Sequence, residues 1–232
     1  MRTGKSILVV EDETDLVELL RHNLTREGYA CRCCFDGRSA LAEAMRNPPD
    51  LVLLDRMLPG LSGDELIAQL KREPRTANIP TVMLTAKSEE SDVLVGFALG
   101  ADDYVTKPFS MKVLLAKVAA ILRRTDTLEA PDETLSAGGI ELDVGRHELT
   151  VEGAHVSVTA TEFRILRSLM AARGRVLSRA QLIDAALGPG VAVTDRTIDV
   201  HITSLRKKLG RTAGWVQTVR GVGYTFREPP SG

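Results

Sequence analysis

Residues 50–60 read Asp-Leu-Val-Leu-Leu-Asp-Arg-Met-Leu-Pro-Gly: an apolar run of strand length, Leu51 to Leu54, that stops on an acid, Asp55, and then on a turn. Such a run, with no polar alternation, suits a strand buried on both faces of a parallel sheet. The same pattern recurs to either side. Ile7 to Val10 runs into Glu11 and Asp12, and strands fit Ser6 to Val10, Tyr29 to Cys33, Asp50 to Leu54, Ile79 to Leu84 and Tyr104 to Thr106. Amphipathic segments fill the gaps between them. Ser62 with Glu65 makes a capping-box start for the third helix, and the last helix fits Ser110 to Arg124. Five alternating units predict an α/β doubly wound (βα)5 parallel-sheet domain over residues 1–124.

Further along the chain the pattern changes. Residues 125–136, Thr-Asp-Thr-Leu-Glu-Ala-Pro-Asp-Glu-Thr-Leu-Ser, carry no period, are acidic and include a proline, which predicts a linker. Beyond it, residues 137–228 show short strands near Ile140 to Leu142, His147 to Val151 and His155 to Val158, three helical patterns and a closing hairpin, an α+β domain. Thr159 with Glu162 and Ser178 with Gln181 mark two of those helix starts. A length of 232 residues accommodates two cores. The charged fraction of 26% and hydrophobic fraction of 44% exclude a disordered or membrane class, and a cytoplasmic location is expected.

Net charge −1 hides an asymmetry: residues 135–232 carry 13 Lys and Arg against 9 Asp and Glu, whereas residues 1–124 carry 17 against 18. Only the C-terminal half suits a polyanion. Cys31, Cys33 and Cys34 crowd into one short segment, with no second pair to complete a zinc site, and read as small apolar residues.

The carboxyl ends of parallel strands at a topological switch point are where such sheets bind ligands, and Glu11, Asp12 and Asp55 leave those ends. Three converging carboxylates call for a cation, and oxygen donors favour a hard ion such as Mg²⁺. Thr85 and Lys107, at the ends of the fourth and fifth strands, add a hydroxyl and an ammonium suited to phosphate oxygens. The set can accept a phosphoryl group, with Asp55 as the acceptor.

Val-Val-Glu-Asp-Glu (9–13), Leu-Asp-Arg-Met-Leu-Pro-Gly (54–60), Leu-Thr-Ala (84–86) and Gly-Ala-Asp-Asp-Tyr-Val-Thr-Lys-Pro-Phe (100–109) resemble the receiver domains of two-component response regulators. The resemblance implies that a sensor histidine kinase phosphorylates Asp55. It further implies that Asp12, Asp55 and the Met57 carbonyl ligate Mg²⁺ with Glu11 in support, and that Thr85 and Lys107 hold phosphoryl oxygens. Tyr104 would be the switch aromatic that moves with Thr85, and the Lys107–Pro108 peptide would be cis. Receivers of this kind dimerise through the fourth helix, fifth strand and fifth helix, which here would present Asp92, Val93, Asp102, Asp103, Val113, Lys117 and Arg124. Val93, Val95, Ala98, Val113 and Ala119 stand where relatives commonly carry charge, so apolar contacts are expected to replace some ion pairs.

In the second half, Ile198, Ile202, Leu205 and Leu209 form one helical stripe. Arg196, Val200, Ser204, Lys207 and Arg211 fall on the opposite side, flanked by Thr197, Thr203 and Lys208. A basic, hydroxyl-bearing face of this kind can enter a major groove. The hairpin that follows is expected to turn at Gly221 and Gly223, with Arg220 at its tip to probe a minor groove. Thr-Ala-Thr-Glu-Phe (159–163), Leu-Ser-Arg-Ala-Gln-Leu (177–182), Thr-Asp-Arg-Thr-Ile-Asp-Val-His-Ile (194–202), Leu-Arg-Lys-Lys-Leu-Gly (205–210) and Val-Arg-Gly-Val-Gly-Tyr (219–224) are similar to the winged-helix effector domain of OmpR/PhoB response regulators. That implies a phosphorylation-activated transcription factor, a homodimer when active, on tandem direct repeats of double-stranded DNA. Arg206 would join the contacts named above, and the loop Gly188 to Val193 would meet RNA polymerase. Beyond uptake and loss of a phosphoryl group at Asp55, no enzymatic activity is expected. A phosphatase with an aspartyl intermediate would place an acid where Met57 stands, and a constitutive DNA-binding protein would not need the complete acidic set.

Overall fold

The computed structural model describes residues 4–86, 96–97, 99–126, 133–188 and 194–229. The chain forms two compact units, Met1–Arg123 and Arg124–Gly232.

In the first unit, β1 (Ser6–Val10), β2 (Ala30–Cys34), β3 (Leu51–Asp55), β4 (Thr81–Thr85) and β5 (Asp103–Thr106) form one parallel sheet of order β2-β1-β3-β4-β5. Helices α1 (Thr14–Arg26), α2 (Gly37–Arg46) and α3 (Gly63–Arg72) and a helix over Met111–Asp126 cover it. Gly96, Phe97 and Leu99 are also helical. Side chains alternate across the pleat, so one strand feeds two cores. Leu51 and Leu53 join Ile7, Val9, Val82 and Leu84 under α1 and the Met111–Asp126 helix, where Leu20, Leu24, Leu114 and Val118 meet them. Leu8, Val10, Val52, Leu54 and Met83 face the other way, onto Ala40 and Ala44 of α2 and Leu66, Ile67 and Leu70 of α3. Every residue of β3 is buried, as its uninterrupted apolar run requires.

Caps set the helix starts. Ser62 and Glu65 satisfy each other's backbone N–H at the start of α3, and Asp36 accepts from Arg38 N and Ser39 N at the start of α2. At the opposite end of the sheet, Asp50 accepts from Ser6 N at 2.7 Å and from the Lys5 ammonium at 3.2 Å.

The second unit opens with a four-stranded antiparallel meander, Thr134–Ala137, Ile140–Asp143, Glu148–Val151 and Ala154–His155. Its first strand corrects the expected linker. Residues 134–136 pair with Ile140–Asp143, placing Leu135 beside Leu142, and cross-strand pairing prevails over their polar composition. Helices follow at Ala160–Ala171, Arg179–Ala186 and Asp195–Leu209, the first two opened by the Thr159/Glu162 and Ser178/Gln181 capping boxes. A three-stranded sheet closes the unit, with Gly223–Phe226 between Leu177–Ser178 and Val216–Val219. Gly223 is therefore a strand residue and not part of the turn. A Cβ there would lie 2.0 Å from the Leu177 carbonyl oxygen, so glycine permits the close strand approach, while Gly221 turns at φ +73°.

Candidate phosphoryl-acceptor and nucleic-acid sites

β1 lies between β2 and β3, where the strand order reverses, so the crevice opens beside the residues that follow β1 and end β3. Glu11, Asp12 and Asp55 each bring one oxygen there, all within 4.8 Å of one another. Glu11 and Asp55 are buried and Asp12 is exposed. Lys107, just beyond β5, reaches both buried acids, with Nζ 2.5 Å from Asp55 Oδ2 and 2.7 Å from Glu11 Oε2. Backbone hydrogen bonds fix this layout: Lys107 N donates to Thr85 O at 2.7 Å, Glu11 N to Cys34 O at 3.1 Å and Arg56 N to Leu84 O at 3.1 Å. Met57 N donates to Asp55 Oδ1 at 2.8 Å, so the two Asp55 oxygens have different partners. Thr85 is buried at the end of β4, and the Lys107–Pro108 peptide is cis.

Three carboxylates and one ammonium leave the crevice with excess negative charge. Burial pushes the Glu11 carboxyl up to about 7; the Lys107 hydrogen bond opposes the rise and neighbouring Asp55 adds to it. Burial also works to raise Asp55, but hydrogen bonds from Lys107 and Met57 N outweigh it and hold the carboxyl below its ordinary range. Lys107, despite burial, is raised by the same two acids. An all-oxygen donor set carrying surplus negative charge fits a hard divalent cation.

Two glycines make room for close packing on the sheet. A Cβ on Gly63, the first residue of α3, would lie 2.3 Å from Asp55 O and 2.8 Å from Arg56 Cα. A Cβ on Gly96 would lie 1.1 Å from the Tyr104 hydroxyl oxygen, whose ring meets Phe97 edge-on at 4.9 Å. The bare backbone at 96 thus admits Tyr104.

Only part of the expected dimer face falls within the described residues. Asp92, Val93 and Val95 lie outside the described residues, as do Ala98 and the side chain of Arg124. Val113 is exposed. Asp102, by contrast, is buried: it accepts from Thr81 N at 2.9 Å and stands 3.6 Å from the Lys71 ammonium, so it braces β4 instead of facing a partner. Asp103 is likewise buried, paired with Lys117 at 2.7 Å within the same unit.

On the Asp195–Leu209 helix, the predicted stripe of Ile198, Ile202, Leu205 and Leu209 is buried, and Thr197 and His201 are buried with it. Thr197 therefore faces inward rather than flanking an outer surface, because the helix is packed by both neighbouring helices and its buried arc is wider than one stripe. Arg196, Thr203 and Lys207 are exposed, as are Arg211 and Arg220; Val200 is partly exposed. Ser204 and Lys208 turn to the buried Glu162, each at 2.6 Å. Arg206 donates to Val216 O at 2.7 Å and to the Thr218 hydroxyl at 2.9 Å, tying the helix to the hairpin. Asp199 completes that tie, accepting from Arg179 at 2.8 Å and from the Tyr224 hydroxyl at 2.6 Å. Of the expected polymerase loop only Gly188 is described, residues 189–193 lying outside the described set. No helix among the described residues is long and apolar enough to cross a membrane.

A switch-point acidic crevice in one unit and a winged helix-turn-helix in the other define a receiver-type domain followed by a DNA-binding module. Residues 7–119 match the response regulator receiver domain, and residues 153–226 match the C-terminal domain of transcriptional regulatory proteins. The chain is 46% identical over 226 residues to the phosphate regulon transcriptional regulatory protein PhoB of Pseudomonas aeruginosa, covering 96% of this chain and 97% of that one. It is 43% identical over 225 residues to the sensory transduction protein RegX3 of Mycolicibacterium smegmatis, covering 94% and 97%. A solved structure of a RitR mutant aligns over 97% of this chain and 100% of its own, with a TM-score of 0.82 at 28% identity. The protein belongs to the two-component response regulators of OmpR/PhoB type, with a receiver domain followed by a DNA-binding domain.

Proposed function

We propose that Asp55 accepts a phosphoryl group from a sensor histidine kinase in a Mg²⁺-dependent reaction, and that the phosphorylated receiver dimerises and brings its DNA-binding domains onto tandem direct repeats. The observation that carries this reading is the Lys107 ammonium, 2.5 Å from Asp55 Oδ2 and 2.7 Å from Glu11. It holds a positive charge where phosphoryl oxygens would arrive and leaves Asp55 ionised as a nucleophile. Glu11, Asp12, Asp55 and the Met57 carbonyl would hold Mg²⁺, which supplies charge neutralisation between acceptor and phosphoryl group. The Asp55 oxygen forms the new O–P bond as the P–N bond to the kinase histidine breaks, and Thr85 and Lys107 take the phosphoryl oxygens. Tyr104, lodged against Gly96, is the side chain that answers a movement of Thr85. Water later returns Asp55 to the free carboxylate.

Downstream, self-association uses the face bearing Asp92, Val93, Val113, Lys117 and Arg124. DNA is met by Arg196, Val200, Thr203 and Lys207, with Arg220 at the hairpin tip, and RNA polymerase is met through the loop after Leu187. The test is incubation with acetyl phosphate, with and without Mg²⁺, of the wild type and Asp55→Asn. Support is one added phosphoryl group by mass, dependent on Mg²⁺ and on Asp55, together with tighter operator binding and sedimentation as a dimer. An unphosphorylated wild type, or a phosphorylated one with unchanged DNA affinity, refutes the reading.

A further inference from the structure

Two thiols stand apart from both sites. Cys31 and Cys33 lie two residues apart on β2, the edge strand of the receiver sheet, and so share a face, beneath α1. Cα atoms two residues apart in a strand are separated by about 6.6–6.8 Å, yet these side chains lean together until the sulfurs are 4.0 Å apart. That gap is far wider than the roughly 2.05 Å of a disulfide. It matches a different geometry: two thiolates each about 2.3 Å from a common ion, with about 120° between the bonds, stand about 4.0 Å apart. Both side chains are half-buried, so their inner sides pack against the core while an outer approach stays open. Cys34 points to the opposite face and is buried beside Ala40 and Ala44.

We propose that Cys31 and Cys33 form a two-thiolate site for a soft, thiophilic metal ion of the Cu(I) class. Soft sulfur donors select such ions, whereas the acidic crevice offers only oxygen and selects hard ones, so one domain sorts two kinds of cation by donor chemistry. Loading forms two S–metal bonds, releases the thiol protons to solvent and changes no oxidation state. Solvent or a small exogenous thiol takes the outward coordination position.

The site is independent of phosphorylation, so its test is too. Reduced full-length protein, in excess Mg²⁺ to occupy the hard site, is titrated against Cu(I) held by the chromophoric chelator bicinchoninate. The wild type and Cys34→Ala should each withdraw one equivalent, and Cys31→Ser or Cys33→Ser should bind at least about a hundredfold more weakly, having lost one of two soft ligands. Cys31→Ala and Cys33→Ala, which keep an apolar strand face, should behave like the serine variants, and circular dichroism verifies that each is folded. No withdrawal by the wild type, unchanged affinity in folded Cys31→Ala or Cys33→Ala, or equal loss in Cys34→Ala overturns the proposal.

Discussion

Replacing Gly63 by alanine tests whether close packing of α3 on the end of β3 holds Asp55 in place. The added methyl would meet Asp55 O at 2.3 Å, Arg56 Cα at 2.8 Å and Arg56 O at 3.1 Å, all of it backbone that no rotamer change can relieve. To restore an ordinary contact of about 3.5 Å, the first turn of α3 must retreat by about 1.2 Å. That retreat stretches the hydrogen bond from Gly63 N to Arg56 O, now 3.0 Å, at a cost of about 1 kcal/mol. Overpacking adds about 1–3 kcal/mol, and alanine's better helix propensity returns at most about 1 kcal/mol. The net expectation is a loss of about 2 kcal/mol, measured by urea unfolding of the receiver transition. If strain passes instead into Asp55, a displacement near 1 Å should slow phosphorylation by acetyl phosphate up to about a hundredfold. A Gly63→Ala protein within about 0.5 kcal/mol of wild type that also phosphorylates at the wild-type rate would show that the packing is not tight and the reasoning wrong.

In the DNA-binding unit, Glu162→Ala removes the acceptor shared by Thr159 N, Ser204 and Lys208 and should cost about 2 kcal/mol, seen as a lower melting temperature of that unit with the receiver transition unmoved. Tyr224 supplies a pH dependence. Burial, and next the hydrogen bond to Asp199, pushes its phenol up to about 12. Because the folded value lies above the unfolded one, this contribution is fully present below pH about 10 and is lost as pH climbs towards about 12. Melting curves of Tyr224→Phe over that interval should fall less steeply with pH than those of wild type, and parallel curves would contradict the assignment.

The elements legible in the sequence are those whose determinants are local. A strand buried on both faces must be apolar throughout, and a capping box is two reciprocal bonds within four residues, so β1, β3 and the starts at Ser62, Thr159 and Ser178 can be read directly. Strand ends moved by a residue or two, because they depend on neighbours far away in sequence: Cys34 pairs with Val10, and Asp55 with Leu84. Long-range partners account for the rest. Asp102 reads as a residue of the dimer face until Lys71, thirty-one residues earlier, is found beside it. Gly63 and Gly96 carry no signal except the absence of a side chain, and their necessity appears only once Asp55 O and Tyr104 arrive from other elements. Residues 134–136 alternate polar and apolar over too few positions to be read as a strand, and become one only through pairing with residues 141–143.

The same distinction bears on which cations of the Asp195–Leu209 helix and its neighbours meet DNA. Charge pattern alone counts Arg196, Arg206, Lys207 and Lys208 together, but their surroundings divide them. Lys207 is exposed, whereas Lys208 is held 2.6 Å from the buried Glu162. Moving Lys208 to a phosphate would strand that carboxylate with only Ser204 and Thr159 N, a cost comparable to the stabilisation the phosphate would provide. Arg206 is committed in the same way to Val216 O and Thr218. Neutralising a phosphate releases counterions, so a residue that contacts DNA shows itself in the salt dependence of affinity, with a slope of about 0.9 per phosphate neutralised. Lys207→Ala and Arg220→Ala should each flatten that slope by about 1 for every bound subunit while leaving the melting temperature unchanged. Lys208→Ala should do the reverse, lowering the melting temperature and leaving the slope close to wild type. Equal flattening by Lys207→Ala and Lys208→Ala would mean that Lys208 leaves Glu162 on binding, and that the helix reads DNA with its whole basic face rather than with the part its own domain leaves free.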